Sequence, residues 1–143
     1  MSDIEKAASG FSQGLNCAQS VLSTYGPRFG LDHELALKIA SGFGGGIGHR
    51  GESCGAVTGA IMVIGLKEGG MSGDEAARER FFGLVGRFLE KFKARHGSTL
   101  CRQLLGHDIS TDEGLKAIID KGFFEERCPN FVRTSAEILE EIL

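Results

Sequence analysis

The segment from Gly55 to Leu66 constrains this chain more than any other. Wound as a helix, it presents apolar residues on nearly every side, so no face of it is suited to water. It is also far shorter than the roughly 20 apolar residues needed to cross a bilayer. It therefore reads as the buried central helix of a folded domain, with no membrane insertion. Gly55 and Gly59 sit four positions apart on it. Glycine is a poor helix former, so the pair is best explained as a smooth stripe that lets another backbone approach closely.

The rest of the chain supplies helices to surround that one. A first helix is expected from about Asp3 to Phe11. Asn16 is a good N-cap for a second, which carries Ala18, Val21, Leu22 and Tyr25 on one face before Gly26-Pro27 stops it. Asp32 opens a third, with Leu35, Ala36, Ile39, Ala40 and Phe43 repeating at helical spacing until Gly44-Gly45-Gly46. Ser53 is the expected cap of the central helix. Ser72 with Glu75 forms a capping-box pattern for a fifth, running to about Arg95. Its core face is read as Ala77, Phe81, Leu84, Val85, Phe88 and Phe92, with Arg78, Arg87, Glu90 and Lys91 outward. Ser98 opens a short sixth helix, and Ser110 with Glu113 a seventh that ends at Lys121-Gly122. Pro129 suits the first turn of a last helix bearing Phe131, Val132, Ile138, Leu139, Ile142 and Leu143. No β-alternation, internal repeat or linker interrupts the pattern. The expected fold class is all-α: a single compact multi-helix domain over residues 1–143 with a buried central helix, long enough to bury a core without disulfide staples.

Composition narrows the function classes. The chain is 41% apolar and 24% charged, with a net charge of −3 and basic residues spread along its length, which argues against nucleic acid as a partner. Met1 to Lys6 shows no basic segment leading into an apolar one, so no secretory signal is read and a cytoplasmic setting is expected. The phenylalanines of the fifth helix serve as core, ligand wall or dimer face. Together with the apolar Ile142-Leu143 end, they make a homodimer contact a candidate.

Against that background stand four isolated cysteines, Cys17, Cys54, Cys101 and Cys128. In the cytoplasm static structural disulfides are unusual, which leaves metal binding, redox duty or inert buried thiols. Each cysteine falls at an expected helix start: after Asn16, after Ser53, just beyond Ser98, and before Pro129, where Cys128 itself would be the cap. Free N–H groups and the partial positive charge of a helix start favour thiolate over thiol. No pair forms Cys-x-x-Cys, so a common site has to be assembled by tertiary packing. Cys54, capped and next to a glycine loop, is the preferred nucleophile.

Cys54-Gly55-Ala56-Val57-Thr58-Gly59 resembles the Cys-Gly-Ala-x-x-Gly signature of the redox-active C_GCAxxG_C_C family. That family carries one cysteine before the motif and two after it, as Cys17, Cys101 and Cys128 do here. Gly14-Leu15-Asn16-Cys17-Ala18-Gln19 is similar to its opening segment, so the resemblance covers essentially the whole chain. It implies that the four cysteines form a common redox site with an unidentified redox partner. They would serve either in thiol–disulfide exchange or as ligands of an iron–sulfur cluster for electron transfer. Zinc would accept the same four thiolates without cycling electrons.

Other motifs are weaker. Gly46-Ile47-Gly48-His49-Arg50-Gly51 spells Gly-x-Gly-x-x-Gly, but the dinucleotide fingerprint needs a preceding strand that is absent here. As a loop feeding the Cys54 helix, it offers His49 and Arg50 as candidates to hold a substrate or anion beside the thiolate. His49 and His96, each five residues before a cysteine, are candidate ligands or proton donors. Glu52 reads as a helix-dipole charge, with a general-base role as the alternative.

Overall fold

The computed structural model describes residues 1–70 and 73–143. Ser72, half of the expected capping box with Glu75, lies outside the described residues. Among those described, eight α-helices follow in order: α1 (Asp3–Ser9), α2 (Cys17–Tyr25), α3 (His33–Ala40), α4 (Gly55–Glu68), α5 (Glu75–His96), α6 (Cys101–Leu105), α7 (Asp112–Lys121) and α8 (Phe123–Ile142). Short 3-10 turns extend α1, α2 and α3. Among the described residues there is no strand, only one isolated antiparallel bridge between Ser53 and Leu100.

The apolar segment is the centre of the molecule, as its composition requires. α4 packs against α2, α5 and α8, and it buries Gly55, Ala56, Val57, Gly59, Ala60, Val63 and Ile64. Each fully buried aliphatic side chain the size of valine or isoleucine contributes about 1.5–3 kcal/mol. The glycine stripe faces α2: a Cβ on Gly55 would lie 2.7 Å from the Ala18 amide nitrogen, and one on Gly59 3.0 Å from the Ala18 carbonyl oxygen. Ser135 Oγ donates to the Ala56 carbonyl at 2.8 Å, tying α8 to α4. Phe88 and Phe92 of α5 are fully buried, and Phe92 packs on Phe131 of α8. Among the described residues, no helix is long and apolar enough to cross a membrane.

Several sequence expectations need correction. The α4 cap is Cys54, not Ser53, which is held in the bridge to Leu100. α6 starts after Leu100 rather than Ser98. α7 is capped by Thr111, whose hydroxyl accepts from the Gly114 amide at 2.9 Å, while the Ser110 hydroxyl donates to Asp108 instead. α5 is capped by Asp74, which accepts from the Ala77 amide. Neighbouring hydroxyls and carboxylates compete for each cap, and tertiary pairing decides between them.

Pro129 is inside α8 rather than at its start, and Cys128 is therefore mid-helix. Gly122 adopts the left-handed conformation that ends α7 and hands the chain directly into α8, so the helix begins before the proline. Two apolar faces are also less buried than their spacing suggests. On α3, Ala36 and Ala40 are buried while Leu35 and Ile39 are exposed. The latter two lie about 100° around the helix, where only the rim of the contact reaches. On α5, Phe81, Leu84 and Val85 are half-buried, as is Ala77, and Phe82 is 64% exposed.

Candidate functional site

Four local devices bring the cysteines to one place. The first is a short antiparallel pairing of residues 51–54 with 99–102. The Cys54 amide donates to the Thr99 carbonyl at 2.8 Å, Cys101 to Glu52 at 2.7 Å and Arg102 to Gly51 at 3.2 Å. This sets Cys54 and Cys101 side by side despite their distance in sequence. The second is the contact of the first turns of α2 and α4. Asn16 accepts from the Gln19 amide at 2.8 Å while Gln19 accepts from the Asn16 amide at 3.0 Å, which fixes the start of α2. The missing side chain of Gly55 then lets Cys17 close on Cys54: a Cβ there would be 3.1 Å from the Cys17 Cβ.

The third device is α8, held to α6 by Arg127, whose guanidinium donates to the Leu104 carbonyl at 3.2 Å. Cys128 is the next residue. The fourth is the glycine loop. Residues Gly45, Gly46, Ile47, Gly48 and His49 have successive φ values of 63°, 71°, 63°, 59° and 61°, a left-handed turn. The two residues in it that are not glycine cost about 1–2 kcal/mol each, a strain held in place by packing beside the thiols. Gly46 has no alternative, since a Cβ on it would lie 2.6 Å from the Cys101 Cβ and 2.7 Å from the Glu52 amide nitrogen.

All four cysteines line one cavity of about 230 Å³. Cys54, Cys101 and Cys128 are 4%, 7% and 7% exposed, and Cys17 is half-buried. All four are free thiols. The larger side chains around them are Phe11, Leu104, Leu105, Phe124 and Phe131, with Asn16 and His49 as the polar members. Among the described residues, no lysine, arginine, aspartate or glutamate lines the cavity.

The thiols are not equivalent. Hydrogen bonds to Cys128 and Cys54, followed by burial, hold the Cys17 proton well above the usual thiol range. Cys54 moves the other way. The hydrogen bond from Cys17 favours its thiolate most, burial opposes, and the Ala56 and Val57 amides at the start of α4 add to the lowering. Cys101 is pushed up to about 12, first by burial and then by the neighbouring Cys54, Cys128 and Asp108 charges. The Cys54 thiolate is thus favoured over those of Cys17 and Cys101.

The remaining candidates separate. His49 lines the cavity and is otherwise exposed. Arg50 is exposed and not part of the cavity wall. Glu52 is also off the wall, with its carboxylate 3.8 Å from Arg102. His96 sits between Phe92 and Phe131, with Nε2 2.8 Å from Thr134 Oγ1, and is not part of the cavity wall. Burial, with Arg95 adding to it, lowers its pKa. The apolar wall was not foreseen, although part of it is periodic: Phe124, Cys128 and Phe131 stand at i, i+4 and i+7 on α8.

Four thiolates are a suitable donor set for an iron–sulfur cluster or zinc. As the side chains stand, no group of three or more His, Cys, Asp or Glu among the described residues is placed to hold a metal ion. The four stand as free thiols on the one cavity, with Cys17 hydrogen-bonded toward Cys128 and Cys54. A family model described as "Putative redox-active protein (C_GCAxxG_C_C)" matches residues 15–142. No curated protein and no solved structure matches the chain.

Proposed function

The chain belongs to the C_GCAxxG_C_C family, and from that premise we propose that it carries out thiol–disulfide exchange in the four-cysteine cavity, with Cys54 as nucleophile and Cys17 as resolving thiol. The observation that carries this reading is that Cys17 and Cys54 line one cavity at the first turns of α2 and α4, where a Cβ on Gly55 would be only 3.1 Å from the Cys17 Cβ. The hydrogen bond from Cys17 and the free amides at the start of α4 lower the Cys54 pKa.

The Cys54 thiolate attacks one sulfur of a disulfide, forming a mixed disulfide and releasing the other sulfur as a thiolate that takes up a proton. Cys54 then no longer carries a charge. Of the two hydrogen bonds that hold the Cys17 proton, to Cys128 and to Cys54, the second loses its anionic acceptor. Cys17 gives up its proton and attacks Cys54, forming the Cys17–Cys54 disulfide and expelling the second half of the substrate as a thiol. Two electrons pass from the protein to the substrate, and an external redox partner restores the dithiol. His49 lines the same cavity and is exposed, which supports it as the side chain through which the proton reaches solvent. A cytoplasmic setting, where thiols are kept reduced, suits this cycle.

Alkylation of the reduced protein near pH 7, followed by peptide mass spectrometry, tests the assignment. Cys54 is expected to react at least about tenfold faster than Cys101, because the two pKa values are displaced in opposite directions. Equal rates, or a faster Cys101, overturn the nucleophile assignment. The convergence of four thiols on one cavity also favours a second reading, ligation of a cluster by all four cysteines without turnover. Anaerobic purification with visible absorption separates the two: a chromophore that disappears in Cys54→Ser replaces exchange with ligation.

A further inference from the structure

We propose that the substrate of this cavity is an uncharged, apolar small-molecule disulfide, of the size of a five-membered cyclic disulfide on an alkyl arm, an inference that rests on the thiol–disulfide reading above. The wall decides the class. Around the thiols stand Phe11, Leu104, Leu105, Phe124 and Phe131, and no charged side chain among the described residues. Asn16 has little to offer a ligand, because its amide already accepts from the Gln19 amide at 2.8 Å and donates to the Ser41 carbonyl at 3.2 Å. His49 is the one remaining polar side chain among the described residues of the wall.

A carboxylate entering here would leave water with no lysine or arginine among the described residues of the wall to pair with, and would stand beside the Cys54 thiolate, a like charge. Glutathione disulfide, with its carboxylates and ammonium groups, is disfavoured for that reason. Volume points the same way. The cavity of about 230 Å³ is somewhat larger than the roughly 150 Å³ apolar cavities that take benzene. It holds a small ring with part of its chain, and the rest of a larger ligand would lie outside it. Protein disulfides are disfavoured as well, since Cys54 is 4% exposed and a folded partner would have to reach into the cavity to meet it.

A cyclic disulfide opens on Cys54 to a mixed disulfide with a free thiolate at its other end. Cys17 then releases it as a dithiol, leaving the Cys17–Cys54 disulfide.

The test uses the full-length, pre-reduced protein in single turnover with lipoamide, 2-hydroxyethyl disulfide, glutathione disulfide or insulin, following loss of protein thiols. Each rate is divided by that of a free dithiol on the same disulfide, which removes intrinsic reactivity. The expected result is that lipoamide and 2-hydroxyethyl disulfide outpace glutathione disulfide by at least about tenfold, given the desolvation cost of its charges. Insulin is expected to be slowest. Equal or faster reaction of glutathione disulfide, or insulin as the fastest substrate, overturns the apolar class and leaves thiol–disulfide exchange standing. No reduction of any of them above the Cys54→Ser background overturns both. A second variant, Phe11→Arg, places a cation on the wall. It is expected to shift the lipoamide-to-glutathione-disulfide ratio toward glutathione disulfide, while Phe11→Leu leaves the ratio near that of the unaltered protein. An unchanged ratio in a folded Phe11→Arg protein contradicts the proposal, and the selectivity of the unaltered protein decides the matter if that variant does not fold.

Discussion

The start of α4 and the middle of α5 use glycine in opposite ways. At the start of α4, Gly55 and the nearby loop residue Gly46 sit where a Cβ would collide with backbone or with a cysteine. The middle of α5 carries Gly83 and Gly86 with nothing within 4 Å of the position a Cβ would take. Phe82, next to Gly83, is 64% exposed. The first region is packed backbone to backbone so that thiols from α2, α4, α6 and α8 meet. The second is loosely covered and places nothing. Local crowding, more than local sequence, therefore marks where the molecule holds side chains to a fixed geometry.

Substitution of these glycines by alanine should break that comparison if it is wrong. Gly46→Ala is expected to have the largest effect. It meets the Glu52 amide nitrogen at 2.7 Å and also forces a side chain onto φ 71°. A loss of about 3 kcal/mol or more is expected from overpacking and left-handed strain together. Gly55→Ala follows, at about 1–3 kcal/mol, from the contact with Ala18. Urea melts of the reduced protein measure both. Stability within about 0.5 kcal/mol of the unaltered protein, the level of an ordinary surface change, would remove the argument for forced approach.

A further effect, confined to alkaline solution, is expected from pH. Cys101 has its pKa raised from 9.0 to about 12 in the folded chain. A group whose folded pKa lies above its unfolded value adds stability below the unfolded pKa and loses it as pH rises through the folded one. Stability should accordingly decline from about pH 9 towards pH 12, and the decline should be shallower in Cys101→Ala. A slope unaffected by that change would mean that the Cys101 thiol is not buried as described. The smallest effect belongs to the loose region. Gly86→Ala and Gly83→Ala should each raise stability, by about 0.5–1 kcal/mol, because alanine is the better helix former and meets no neighbour. Destabilisation at either position would show that this region is packed more tightly than the distances indicate.

Much of the fold was legible because its signals are local. The Asn16 and Asp32 caps, the order of the helices and the buried character of α4 follow from residue type and spacing, and all are found. The Gly55–Gly59 stripe was legible as a close contact, though not its partner Ala18. What sequence spacing could not supply depends on distant pairing. The bridge between Ser53 and Leu100 is too short to leave an alternating pattern, yet it moves two helix starts and joins Cys54 to Cys101. Pro129 suggested a helix start because proline is common there. The continuous periodicity of Phe124, Cys128 and Phe131 outweighs it, so Cys128 reaches the cavity from mid-helix and not from a cap. Three of the four cysteines do stand at helix starts, at Cys17, Cys54 and Cys101. Their differing pKa directions come from burial and from one another, which no local motif records.

The central claim is that Cys54 and Cys17 work as a redox pair within the four-thiol cavity. Disulfide mapping tests it most directly. The reduced protein is oxidised with one equivalent of a small disulfide, alkylated under acid conditions and digested, and its linked peptides are identified by mass spectrometry. The account predicts a Cys17–Cys54 link as the first product, absent in Cys17→Ser, where the substrate half stays attached to Cys54. Four free thiols after oxidant exposure, or a first link that omits Cys54, would contradict it.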